Sequence, residues 1–217
     1  ERLWQVGFLV GSVLGAAVTV AGRQIERSAR AAGLVDWRRV EAIAIARLRS
    51  APGSLTADQL RATEIDYANA MAKVVPALSE HLGTDLPGVV DRVAVVDRAT
   101  WIRANTSAFA GLIGRLEGQL LDQMLPEGSG VTKASMTLAN RWVTTRQLGL
   151  LLGFMGQRVL GQYDLALLSA ETTPGRLLFV EENIRNTARV MDVPLGPFRT
   201  WIALHETTHA FEFEAHS

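Results

Sequence analysis

The chain has 217 residues, enough for one large domain or two small ones around a substantial core. Its 22 basic and 22 acidic side chains cancel, and no long run of one sign marks nucleic acid as a partner. Cysteine is absent, which excludes disulfides, leaves any metal to His, Asp or Glu, and fits a reducing, cytoplasmic setting.

Residues 3–22 contain no charged side chain and lie between Arg2 and Arg23. A helix of about 20 apolar residues just spans a bilayer. Gly7, Gly11 and Gly15 repeat at the spacing of closely packed membrane helices. Gln5, Ser12 and Thr19 soften the segment and favour a helix buried in protein, with membrane contact as the alternative. Residues 1–34 are read as this apolar unit and residues 35–217 as the main domain.

Asp36 is placed to cap a helix from Trp37 to about Arg49. Ala51-Pro52-Gly53-Ser54 reads as a turn, and Thr56 as the cap of a second helix with Leu60, Ile65, Ala68 and Met71 on its apolar side. Pro76 is expected to break or kink that helix, and residues 83–88 form a loop. Arg92-Val93-Ala94-Val95-Val96-Asp97 is short, β-branched and bounded by charge, the character of a strand. Long helices are expected from about Thr100 to Leu125 and from about Lys133 to Gly161, separated by a loop at residues 126–130. The apolar run Leu148–Gly156 should be buried all round. Gly161-Gln162-Tyr163-Asp164 then ends the helix in a polar turn. Leu177-Leu178-Phe179-Val180 is a strand candidate, Asn183 to Met191 a short helix, and a last helix runs from about Phe198.

That last helix carries His205-Glu206-Thr207-Thr208-His209, an H-E-x-x-H pattern. Histidines four apart stand one turn apart on one helix face, so both imidazoles reach one zinc ion. Glu206 lies about 100° round the helix, where it can serve as general base toward a metal-activated water. Trp201, Ile202 and Leu204 are expected to supply the buried side. The competing reading is two histidines met by chance on a half-buried helix.

A third ligand is needed. Glu212 and His216 share the face of His205 and His209, but Glu212 starts about 10 Å along the axis from His205, too far for a straight helix to converge on one ion. The longer H-E-x-x-H-x-x-G-x-x-H pattern also fails, with Glu at 212 and the later His at 216. The third ligand is therefore expected beyond Ser217, with the sequence a piece of a longer protein.

The stretch from Trp201 to Phe213 resembles the zincin-like family of actinobacteria and Chloroflexi, whose members carry hydrolase or coenzyme F420 biosynthesis-associated labels. Further matching stretches are Val35-Asp36-Trp37, Asp97-Arg98-Ala99-Thr100-Trp101, Leu160 to Asp164 and Leu178 to Ile184. The resemblance implies an α+β, predominantly helical fold: a zincin-like core with a small β-sheet beside the H-E-x-x-H helix. It also implies metallopeptidase activity on a peptide or amide substrate.

In such a core an edge strand holds extended peptide by main-chain hydrogen bonds. Leu178, Phe179 and Val180 are the candidates, against an equal reading as a buried core strand. Tyr163 could stabilise an oxyanion and Asp164 could orient a ligand histidine. Both also suit an ordinary helix-ending turn, the favoured reading for Tyr163. His81 reads as a plain helix-end histidine. Two functions follow: a zinc hydrolase, or a non-catalytic or membrane-associated scaffold of zincin shape.

Overall fold

The computed structural model describes residues 33–124, 130–163 and 175–215, with side chains left undescribed at 117–124, 130–134 and 215. Residues 3–22, the expected loop at 126–130, Asp164 and His216 fall wholly or largely outside it. Among the described residues no helix is long and apolar enough to cross a membrane.

Among the described residues six α-helices surround one small sheet. They are α1 (Trp37–Arg47), α2 (Ala57–Leu82), α3 (Arg98–Met124), α4 (Gly130–Met155), α5 (Glu181–Val190) and α6 (Leu195–Ala215). The strands are β1 (Val93–Val96), β2 (Gly161–Tyr163) and β3 (Leu177–Val180). Their order is β1-β3-β2, with β1 parallel and β2 antiparallel to β3.

The helix starts follow the capping rules. Asp36 accepts from Arg39 N–H, and Thr56 and Gln59 form a reciprocal capping box. Pro76 does not break α2, which continues to Leu82 and ends on Gly83 at φ +66°. Proline removes one backbone donor, and the packing of Met71, Val74 and Leu78 on either side holds the helix together. The buried face of α2 also departs from expectation. Tyr67, Ala70 and Met71 are buried, whereas Ile65 is 66% exposed.

All four residues of β3 are buried, and their alternation divides the core into two layers. Leu177 and Phe179 join Tyr67, Met71, Ile202 and Phe211, the layer of α2 and α6. Leu178 and Val180 join Val40, Ala44, Trp101 and Leu152, the layer of α1, α3 and α4. A continuous apolar run is what a strand covered on both faces requires. Each such side chain contributes about 1.5–3 kcal/mol of burial.

Helix α4 ends at Met155, earlier than its pattern indicates, and the chain then re-enters as β2. Its apolar run is not buried all round, since Leu151 and Phe154 are half-exposed. Only its glycine side packs closely: a Cβ at Gly149 would lie 2.8 Å from Ile43 Cβ, so α1 and α4 touch almost backbone to backbone.

Candidate metal centre

Helix α6 is fastened near both ends. Toward its start, Arg199 is 6% exposed and pairs with the fully buried Glu181 and, at 2.5 Å, with Asp66. Glu181 also accepts from Tyr67 Oη (2.8 Å) and Arg185 Nε (2.6 Å). Toward its end, Glu214 takes a two-pronged grip from Arg92 at 2.6 and 3.1 Å and accepts from Tyr163 Oη at 2.7 Å. Arg92 and Tyr163 come from either side of β3, so Glu214 ties the helix to both neighbouring segments.

Between these anchors, His205 and His209 stand one turn apart with ring centroids 4.7 Å apart. The His205 ring is exposed and stacks on Trp201 at 5.7 Å, and the side chain of His209 is 41% exposed. Trp201 and Leu204 therefore belong to the open face, not the buried one, which is made by Ile202, Ala203, Glu206 and Ala210. Glu212 Oε2 lies 3.1 Å from His209 Nδ1. A carboxylate on Nδ1 holds the proton there and leaves Nε2 with its lone pair. In that arrangement Glu212 would orient the His209 ring.

Glu206 is the buried member of the motif, 8% exposed. It lies against β2: a Cβ added to Gly161 would sit 2.5 Å from Glu206 Cγ and 2.8 Å from its Oε1. The Tyr163 backbone N–H lies near the same carboxylate and favours its charged form. Burial pushes the Glu206 carboxyl above the usual carboxylate range, and the two imidazoles and the Tyr163 N–H pull part of the way back.

The edge beside α6 is β2, not the stretch Leu178-Phe179-Val180. Strand β3 is central and paired on both sides, so its backbone has no groups left for a peptide, and its side chains fill both core layers. The N–H of Val180 donates to Leu160 C=O at 2.8 Å. Antiparallel alternation then turns the backbone groups of Gly161 and Tyr163 away from β3, toward an edge that has no strand partner among the described residues. The Tyr163 hydroxyl is taken up by Glu214 and by the Gly175 N–H, which leaves it structural rather than placed for an oxyanion.

Sequence reasoning missed two residues here. Gly161 gives Glu206 its room, and its only sequence signal was a glycine where a helix pattern fades. Glu181 anchors α6, and its signal was an acidic residue directly after a wholly apolar strand.

The donor set suits a divalent ion: two imidazoles on one helix face, one with its Nδ1 already engaged, and a carboxylate beside them. Among the described residues no group of three or more His, Asp or Glu side chains is arranged to hold a metal ion by itself.

An H-E-x-x-H helix beneath a small sheet, with its glutamate against the edge strand, is a zincin-like arrangement. The family defined as zincin-like metallopeptidases matches residues 35–217, and the chain belongs to it. Among solved structures it is similar to a protein from Chloroflexus aurantiacus, provisionally described as a hydrolase with a novel fold. The two are 34% identical with a TM-score of 0.62 over 83% of this chain and 53% of the other, so this chain spans about half that protein's length. Comparison with curated proteins gives no match.

Proposed function

We propose that the chain forms the catalytic core of a zinc-dependent metallopeptidase that hydrolyses peptide or amide bonds. The observation that carries this reading is the position of Glu206, buried against an open strand edge and adjacent to two exposed imidazoles. His205 and His209 would hold the ion. Zinc, when bound, supplies Lewis acidity that polarises a carbonyl and acidifies water.

The protein's own groups do the rest. The open edge of Gly161–Tyr163 pairs with an extended peptide and fixes its carbonyl. Glu206 takes a proton from the attacking water and returns it to the leaving amine. A carboxyl raised above its usual range is better matched to that exchange near neutral pH than an ordinary surface glutamate.

The test is metal analysis of the purified full-length protein followed by assay of Glu206→Gln. Stoichiometric zinc in both proteins, with turnover of a peptide mixture only in the unsubstituted one, supports the enzyme. Absence of tight zinc binding, or equal cleavage by both, leaves the scaffold reading in its place.

A further inference from the structure

A cleft of about 340 Å³ opens on the other face of β2, at the end of the lower size range for small-molecule sites. Its walls are Trp101, Ala108 and Phe109 of α3, Leu152 and Met155 of α4, and all three residues of β2. No charged side chain lines it among the described residues. Its polar groups are already spent on one another. Gln162 Oε1 accepts from Trp101 Nε1 at 2.7 Å, and the Gln162 and Asn105 amides bond reciprocally at 3.1 and 3.2 Å. The floor is therefore rigid and satisfied, and the walls are apolar.

The cleft and the metal centre share a strand. Gly161 and Tyr163 face α6, while Gln162 faces the cleft. A peptide added at the open edge of β2 continues this alternation, so its successive side chains point in turn toward α6 and toward the cleft.

We infer that this cleft is the specificity pocket of the site and receives one bulky apolar side chain, such as Leu, Met or Phe, from an extended peptide. The inference rests on the peptidase reading and adds the substrate class. An acidic or basic side chain would lose its hydration there without gaining a counter-charge, and a small one would leave the cleft unfilled.

The probes are blocked hexa-alanine peptides carrying Phe, Leu or Asp at one position at a time. Binding is measured by calorimetry on the full-length Glu206→Gln protein, and cleavage sites in a mixed peptide library are mapped with the unsubstituted, zinc-loaded protein. Phe or Leu at one position should bind about tenfold or more tighter than Ala or Asp, and cleavage should fall at a fixed offset from apolar residues. Ala108→Trp places a large ring at an exposed position of the cleft wall and should reduce the preference to about twofold or less. Phe109→Ala, which widens the cleft, should shift the preference toward larger rings. Equal binding of all peptides, or a preference unchanged in both variants, overturns the pocket. Cleavage without apolar preference removes the pocket and leaves the peptidase standing; failure of every peptide to bind or be cleaved removes both.

Discussion

Gly161 and Glu206 are in direct van der Waals contact, and the contact exists because residue 161 has no side chain. An added Cβ would fall 2.5 Å from Glu206 Cγ and 2.8 Å from Cδ. Gly161→Ala must therefore push the carboxylate off the strand or push the strand off α6. The expected result is a loss of turnover of about 100-fold with zinc content retained, because a displacement near 1 Å at a reacting group costs about that much. Stability should fall by about 1–3 kcal/mol from overpacking. Turnover unchanged in a folded Gly161→Ala protein would place the chemistry elsewhere.

The same carboxyl makes the metal-free protein's stability depend on pH. Its folded pKa is raised, so between the ordinary value of 4.5 and the raised one the native state holds more protons than the unfolded chain. Stability from this group is full below 4.5 and is lost as pH climbs through the folded value. Glu206→Gln does not titrate and escapes that loss. With metal removed by chelation, its melting temperature should gain on the unsubstituted protein as pH rises from about 4.5 to 7. A difference that stays flat or reverses over that range would contradict the burial-driven shift.

Much of this was written in local sequence signals. The caps at Asp36 and Thr56, the β-branched strand at Val93–Val96 and the placement of His205 and His209 one turn apart on one helix face each depend on residues within a few positions, and the structure has each of them. The edge strand was not legible, because a four-residue apolar run reads alike at an edge or in a centre. Only the pairing of β3 on both sides decides it. Gln162 and Tyr163 looked like a turn because the third strand is three residues long and its hydrogen-bonding partner lies beyond a gap in sequence. Trp201 was assigned inward on hydropathy alone, yet its ring lies flat beside His205.

Helix α6 also owes its place to a buried charge cluster. Glu181 is fully buried and is matched by Arg199, Arg185 and Tyr67 Oη. Burial pushes the Tyr67 hydroxyl up, as does the Glu181 carboxylate it donates to, which keeps that proton in place. Arg199→Met preserves bulk but strands the carboxylate and should cost about 3–5 kcal/mol in urea unfolding. The double variant Arg199→Met with Glu181→Leu should recover a large part of that loss, since no buried charge is then left unpaired and Asp66 and Arg185 are half-exposed. Additive losses in the double variant would show that the pair is not energetically coupled.

Glu212 offers the sharpest separation between a ligand and a residue that orients one. Its carboxylate lies 3.1 Å from His209 Nδ1, on the open face of the helix. If it orients the ring, Glu212→Ala should weaken zinc binding by about 10–100-fold while leaving the ligand count unchanged. His209→Ala should remove tight binding altogether, because two of the chain's donors then become one. Competition titration with a zinc-binding dye measures both affinities, and X-ray absorption at the zinc edge counts the ligands. Loss of an oxygen ligand in Glu212→Ala would instead make Glu212 part of the coordination sphere, and α6 would then have to bend after His209 to bring it there.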